Sequence, residues 1–360
     1  FIVNGNGETV NAMTCDWTHS VGDCVLPEGV GGELHLEVHF TDGSNIKDNA
    51  HGQYRHEAAY TSHNQAVAAN GGVPVIFTAI TYAFCRAADD MADEAPDLDT
   101  ARAALLGLDA ELTGAAPASP FVAAYLDVAR RRDIPVEAAQ ELLRGLESDL
   151  GLVRIADDRE LVRYCYRVAG TVGLMMCGVL GVTADAARAP AVDLGLGMQI
   201  TNICRDVLED ARRDRVYIPA SRLARVGLTP DDLLDPALPR DLDRRARLAS
   251  VVRDLLVIAE AAYTRAWHGM HHIPARPRLA IHVAAVLYRD IGRRLRDLHG
   301  ADPIHGRTIV PQGQRLRGVG WGLLSAVHPV SWGMGSESAG VPALHRHLRG
   351  LGGAPVAAVA

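Results

Sequence analysis

Gln199-Ile-Thr-Asn202-Ile-Cys-Arg205-Asp206-Val-Leu-Glu209-Asp210 is the stretch on which the reading of this chain turns. Gln199, Asn202, Asp206 and Asp210 step by three, four and four, which sets them in one stripe along a helix. The residues between them are largely apolar, so the stripe lies on a helix that is otherwise buried. Asp206 and Asp210 stand one turn apart, where like charges destabilise a helix. A carboxylate taken out of water without a counter-charge is costly. A solvated acidic face fits poorly with Gln199 and Asn202 in line.

A second acidic stretch lies upstream, Cys85-Arg86-Ala-Ala-Asp89-Asp90-Met-Ala-Asp93-Glu94. Here Asp89 and Asp93 share a helix face, as do Asp90 and Glu94. Taken alone, this reads equally well as a solvated face near a helix end. Taken with the first, it predicts two carboxylate stripes facing each other across a bundle. Such a pair can cage a diphosphate and its divalent cations, since magnesium takes one or two carboxylates together with phosphate oxygens and waters. Arg86 lies one turn before Asp89, and Arg212, Arg213 and Arg215 follow Asp210. Arginine can hold phosphate oxygens bidentately, although for the last three a surface role is equally open.

Outward from these stretches the text is helical. Apolar spacing of three and four predicts helices over 74–94, 100–112, 119–131, 136–150, 159–181, 186–213, 241–270 and 277–298, with no sheet in 74–300. Pro135, Pro190, Pro219 and Pro274 punctuate them. The apolar run 168–182 falls short of the roughly 20 residues that a spanning helix needs, so it reads as a buried helix. Within it Gly170 and Gly173 each cost about 1 kcal/mol against Ala. Close approach of a long apolar substrate or of a neighbouring helix would explain them.

The bulk numbers agree with a packed globular protein: 360 residues, 48% hydrophobic and 22% charged. A net charge of −7 argues against nucleic acid as a partner. The six cysteines form no CxxC pair and read as reduced core residues of a cytoplasmic protein, without zinc. The opening Phe-Ile-Val-Asn shows no basic stretch of a signal peptide. Composition breaks near residue 75. The first 80 residues hold the only Lys, Lys47, and a single Arg, Arg55, whereas 34 Arg follow. In 33–40, apolar Leu34, Leu36, Val38 and Phe40 alternate with polar residues as in a strand. His35 and His39 share its other face, more in the manner of a solvated face than of a metal site. The expected organisation is an atypical segment over 1–73, a helical domain over 74–318 and a loose tail over 319–360. Deleting residues 1–70 is accordingly expected to leave the melting temperature nearly unchanged; a large drop would place them in the core.

With these motifs in place the chain resembles the squalene and phytoene synthase family, and within it the bacterial phytoene synthases. The matching text is Tyr82-Ala-Phe-Cys-Arg86-Ala-Ala-Asp89-Asp90-Met-Ala-Asp93-Glu94, then Tyr164-Cys-Tyr166-Arg-Val-Ala-Gly-Thr-Val-Gly173, then the stretch from Gln199 through Tyr217-Ile-Pro219. Weaker similarity surrounds Tyr288, and the whole covers about 78–315. The resemblance implies an all-α isoprenoid synthase helical bundle with a central active-site cavity. It implies head-to-head condensation of two geranylgeranyl diphosphates through a cyclopropyl diphosphate. It makes Asp89, Asp93, Asp206 and Asp210 the ligands of Mg²⁺, for which Mn²⁺ can stand in. It gives Arg86, Gln199, Asn202 and Arg205 contacts to the diphosphate or metal-bound water, and it sets Tyr82, Tyr164 and Tyr288 around the developing charge. The family's opening helix, with its His-x-x-Ser-Phe-like stretch and Leu-Pro-Pro turn, has no match here; His56-Glu-Ala-Ala-Tyr60 is a poor substitute.

The alternatives follow from the same resemblance. One is a C30 synthase using farnesyl diphosphate, which would need NADPH only if its product is squalene. Another is a non-catalytic relative that binds or assembles. A hydrocarbon product also admits peripheral attachment at the inner face of a membrane, and contact with downstream carotenoid enzymes.

Overall fold

The computed structural model describes residues 75–306, 308 and 344–355, together with the backbone of four short N-terminal strands. Contacts divide the chain into two units, Phe1–Ala58 and Ala59–Ala360. In the first, β1 (Ile2–Val3) pairs antiparallel with β2 (Thr9–Val10), and β3 (Thr14–Thr18) with β4 (Val21–Val25). The strand expected over 33–40, with His35 and His39, lies outside the described residues.

In the second unit, helices form over the stretches where the apolar periodicity places them, and also over Ala220–Arg225 and Pro230–Leu234, where it predicted none. They run α1 Val75–Asp93, α2 Leu98–Thr113, α3 Pro120–Arg131, α4 Val136–Ser148, α5 Asp158–Cys165, α6 Thr171–Val179, α7 Arg188–Arg205, α8 Val207–Arg212, α9 Ala220–Arg225, α10 Pro230–Leu234, α11 Leu242–Gly269 and α12 Ala275–Leu298. Local chemistry sets several of the starts. Asp97, Asp157 and Asp241 accept backbone N–H bonds as N-caps of α2, α5 and α11. Ser119 does the same for α3, whose first position is Pro120. Among the described residues, no helix is long and apolar enough to cross a membrane.

Two expected helices are interrupted. Between α5 and α6, Tyr166–Gly170 is π-helical, so the segment read as one helix over 159–181 carries an extra residue in its middle. The segment read as 186–213 breaks at Asp206, whose φ of −105° and ψ of 19° are not helical. The bundle also holds one strand pair, which corrects the expectation of no sheet in 74–300. β5 (Val153–Arg154) and β6 (Arg215–Val216) form a two-residue parallel ladder.

Helix α7 is the axis of the bundle, packed on α11, α12, α6 and the π-helical turn. Val192, Leu196, Ile200 and Ile203 of α7 are buried. Close approach explains the glycines. A Cβ at Gly195 would stand 2.5 Å from the carbonyl oxygen of Ala169, and one at Gly173 would collide with the carbonyl oxygen of Ala191. Of the two explanations open in the sequence, contact with a neighbouring helix accounts for Gly173, and Gly170 is likewise pressed against Tyr166 and Val192.

Residues 344–355 were expected in a loose tail but pack on the bundle. His345, Leu348 and Leu351 are buried. Tyr166 donates to the Gly352 carbonyl at 2.6 Å, and Arg163 to the carbonyls of His347 and Arg349. Apolar patterning misses this because a stretch this short carries no period, and its attachment is made by hydrogen bonds.

Candidate active site

Helix α1 turns Phe77, Thr81, Phe84 and Ala88 into the core, and Phe84 stacks on Tyr125 with ring centroids 4.1 Å apart. Tyr82, Arg86, Asp89 and Asp93, spaced four, three and four, therefore lie on the opposite, open side. Tyr82 is 59% exposed, so its ring stands open rather than closed into a cavity wall. Arg86 pairs within its own helix, with Asp89 at 3.1 Å and Asp90 at 2.6 Å. Burial and the neighbouring Asp93 raise the Asp89 carboxyl above its ordinary value, and Arg86 pulls it partly back.

The second stripe comes from α7 and α8. The backbone turn runs on across the break, because Asp206 N–H donates to the Asn202 carbonyl and Asp210 N–H to the Asp206 carbonyl, both at 2.9 Å. Gln199 and Asn202 are half-buried, and the Asn202 Oδ1 oxygen is buried without a hydrogen-bond partner. Arg205, expected to meet substrate, has its guanidinium on Asp206, with Nε donating to Oδ1 at 2.8 Å and Nη2 to Oδ2. Tyr288 lies within electrostatic reach of Arg205 and packs against the core.

What joins the two stripes is the β5–β6 ladder. It brings Arg215 next to the end of α4, where Asp149 stands. Of the three arginines after Asp210, Arg212 and Arg213 are exposed, and Arg215 turns inward to pair with Asp93 at 3.7 Å. Asp149 feels Asp93 of the first stripe, and Asp210 of the second feels Asp149; both feel Arg215. Tyr164 donates to Asp149 Oδ2 at 2.8 Å and Tyr217 to Oδ1 at 2.7 Å, with the two rings stacked 4.7 Å apart. The expected residues Asp89, Asp93, Asp206, Asp210 and Tyr164 thus fall into one neighbourhood. Asp149 and Tyr217 were not singled out in the sequence. Asp149 sits in Glu147-Ser-Asp149-Leu-Gly151, a helix end with no periodic signal.

The electrostatics are those of crowded carboxylates. Burial, then Asp206, pushes the Asp210 carboxyl up to about 7, and burial pushes Asp149 up to about 6 despite its two phenol donors. Among the described residues no three carboxylate, imidazole or thiolate groups are close enough to hold a metal ion unaided. The donor set is nonetheless one of hard oxygens: two aspartate pairs, and the unpartnered Asn202 Oδ1 beside them. It fits a cation that draws its remaining ligands from phosphate and water.

The sequence profile of the family described as squalene/phytoene synthase matches residues 78–314, well over half of the chain. The chain belongs to the squalene/phytoene synthase family. Among its relatives in that family, a 15-cis-phytoene synthase of Enterobacter agglomerans is 38% identical over 227 residues, 59% of this chain and 74% of the relative. A phytoene synthase of Thermus thermophilus is 37% identical over 239 residues, 65% of this chain and 78% of the relative. The fold agrees with two solved structures. A dehydrosqualene synthase superposes with a TM-score of 0.57 at 24% identity, over 74% of this chain and 95% of its own. A squalene synthase from Alicyclobacillus acidocaldarius gives 0.54 at 22% identity, over 62% and 82%. The expectation of an all-α isoprenoid synthase bundle is therefore met.

The raised Asp210 carboxyl makes a stability prediction. Its folded value, about 7, lies above the ordinary 3.8, so the proton is bound more tightly in the folded state. The stabilisation this gives is complete below about pH 4 and is lost as pH rises through about 7. In metal-free buffer, Asp210→Asn, which stays neutral, should gain in melting temperature over the unsubstituted protein as pH rises from 5 to 8. A difference that does not grow across that range would contradict the crowding.

Proposed function

We propose that this chain condenses two geranylgeranyl diphosphates head to head to phytoene, as a step in carotenoid biosynthesis. The observation that supports the reading is that Asp93 of the α1 stripe and Asp210 of the α7–α8 stripe both lie within electrostatic reach of Asp149 and Arg215. The relatives named phytoene synthases, at 37–38% identity, support the product class.

In this reading Asp89, Asp93, Asp206 and Asp210 hold Mg²⁺, with Asn202 Oδ1 a further oxygen within the same stripe. When bound, the ions neutralise the charge that grows on a departing diphosphate. Arg86, Arg205 and Arg215 are guanidinium groups of the site and can take phosphate oxygens once substrate competes for their aspartates. As the first C–O bond breaks, diphosphate leaves and an allylic cation remains. The double bond of the second substrate attacks it, and closure of the cyclopropane releases one proton. The cyclopropyl diphosphate then loses its own diphosphate, rearranges and gives up a second proton to yield the hydrocarbon. Tyr164 and Tyr217, stacked 4.7 Å apart beside the stripes, are the aromatic groups that would stabilise such cations. The reading includes delivery of the insoluble product at a membrane surface and onward to carotenoid enzymes. Fractionation in which all activity stays away from lipid would count against that part.

The experiment is incubation with Mg²⁺ and either geranylgeranyl or farnesyl diphosphate, followed by identification of the hydrocarbon. A C40 product from the first is expected. A C30 product formed only from the second would move the reading to the farnesyl diphosphate branch. Tight binding of both with no turnover would make the chain a binding factor.

A further inference from the structure

Three separate elements meet at one carboxylate. Asp149 follows α4, Tyr164 lies near the end of α5, and Tyr217 follows β6. Each carboxylate oxygen of Asp149 accepts one phenol, Oδ2 from Tyr164 at 2.8 Å and Oδ1 from Tyr217 at 2.7 Å. The rings stack at 4.7 Å with planes 24° apart. Both tyrosines are buried, at 7% and 6% exposure, so neither hydroxyl has water as a substitute partner. The neighbours of this unit are Arg215, Asp93 and Asp210, which are the residues where the two stripes meet.

We infer that Asp149 is a positioning residue that locks Tyr164 and Tyr217 into a single ring pair beside the carboxylate stripes. The inference rests on the head-to-head reading above and adds a residue to it. The physical case has two parts. Packing confines the two rings, the hydroxyl partner sets where each comes to rest within that packing, and one carboxylate here holds both. A phenol that donates to an anion also gains electron density in its ring, which strengthens the attraction of that ring for a cation. A purely structural ion–dipole contact would need neither two phenols on one carboxylate nor a place between the two stripes. With both hydroxyls tied down, the pair presents ring faces to the allylic cation, whose lifetime depends on groups fixed before it forms.

The test uses the full chain with Asp149→Asn, Tyr164→Phe, Tyr217→Phe and the double variants. Three measurements are made: thermal melting, the near-ultraviolet tyrosine absorption without substrate, and kcat and KM for geranylgeranyl diphosphate with Mg²⁺. Asn keeps the shape but offers one acceptor oxygen where the carboxylate offers two. Asp149→Asn should shift the tyrosine absorption to shorter wavelength and lower kcat by about 10-fold to 100-fold, as misplacement of groups at a reacting centre does. KM should stay within about 3-fold, because the pair acts on the transition state rather than on binding. Asp149→Asn/Tyr164→Phe should be no slower than Asp149→Asn alone, since the two act as one unit. Unchanged tyrosine absorption, a kcat within about 2-fold of the unsubstituted protein, or additive losses would each overturn the inference. Should Asp149→Asn fail to fold, Tyr164→Phe/Tyr217→Phe carries the same test: a loss smaller than the summed single losses supports the unit, and additivity overturns it. If the unsubstituted protein forms no hydrocarbon, the head-to-head reading fails and the inference with it. An active protein indifferent to Asp149→Asn fails the inference alone.

Discussion

Asp206→Asn is expected to lower turnover by a factor on the order of 10² or more, the loss seen when one strong charge-stabilising group is removed from a site. Asp206 sits at the break between α7 and α8, one turn after the unpartnered Asn202 Oδ1 and one turn before Asp210. Its carboxylate is held by Arg205 from the adjacent position. In the proposed reaction it would give up that partner to hold a divalent cation, whose charge would offset that growing on the departing diphosphate. Asn keeps the size and one oxygen but removes the charge, so the loss falls where charge develops and less where substrate first binds. The fold should survive, because taking one charge from the Asp206–Asp210 pair relieves repulsion that helps to lift Asp210. Steady-state kinetics in saturating Mg²⁺, with melting curves as the control, decide it. Full activity of Asp206→Asn would sink the metal-cage mechanism.

Asp193→Ala is expected to destabilise the protein by about 3–5 kcal/mol, the cost of stranding the partners of a buried charge. Asp193 lies on α7, two percent exposed, and accepts from Arg265 of α11 at 3.2 Å through both Nε and Nη2. His345, from the C-terminal segment, places its Nε2 2.9 Å from the same carboxylate. Removing that carboxylate leaves the buried imidazole without its acceptor and the half-buried guanidinium without its ion pair. It also cuts the tie between residues 344–355 and the central helix. Denaturant melts measure the loss directly, and a change under about 1 kcal/mol, the size of a surface effect, would show that the triad contributes little. Gln199, Asn202, Asp206 and Asp210 lie elsewhere on α7 and α8, so any fall in activity should follow the folded fraction.

The sequence determined the helices of the bundle and the residue types of the site. Apolar periodicity is a local property, and it set α1, α11 and α12 to within a few residues, while α7 ends at Arg205, eight residues before the expected end of its helix. The spacing of Gln199, Asn202, Asp206 and Asp210 is equally local, because one helical turn fixes which residues share a face. Even the interruption at Asp206 leaves that stripe whole, since the hydrogen bonds of successive turns run through it.

Tertiary structure decided which residues complete the site. Asp149 and Arg215 meet through a two-residue parallel ladder, too short to leave any alternating pattern in the text. Tyr217 was legible only as part of a motif, until Asp149 gave its hydroxyl a partner. The roles of Gly173 and Gly195 depend on the backbone of another segment lying within reach of the missing Cβ, which no neighbour in sequence records. The same holds for Asp193, an acidic residue inside an apolar helix, whose partners Arg265 and His345 arrive from distant parts of the chain. Periodicity reports which way a side chain faces on its own helix. Charge pairing, close packing and short ladders report what stands opposite it, and that is settled only when the chain has folded.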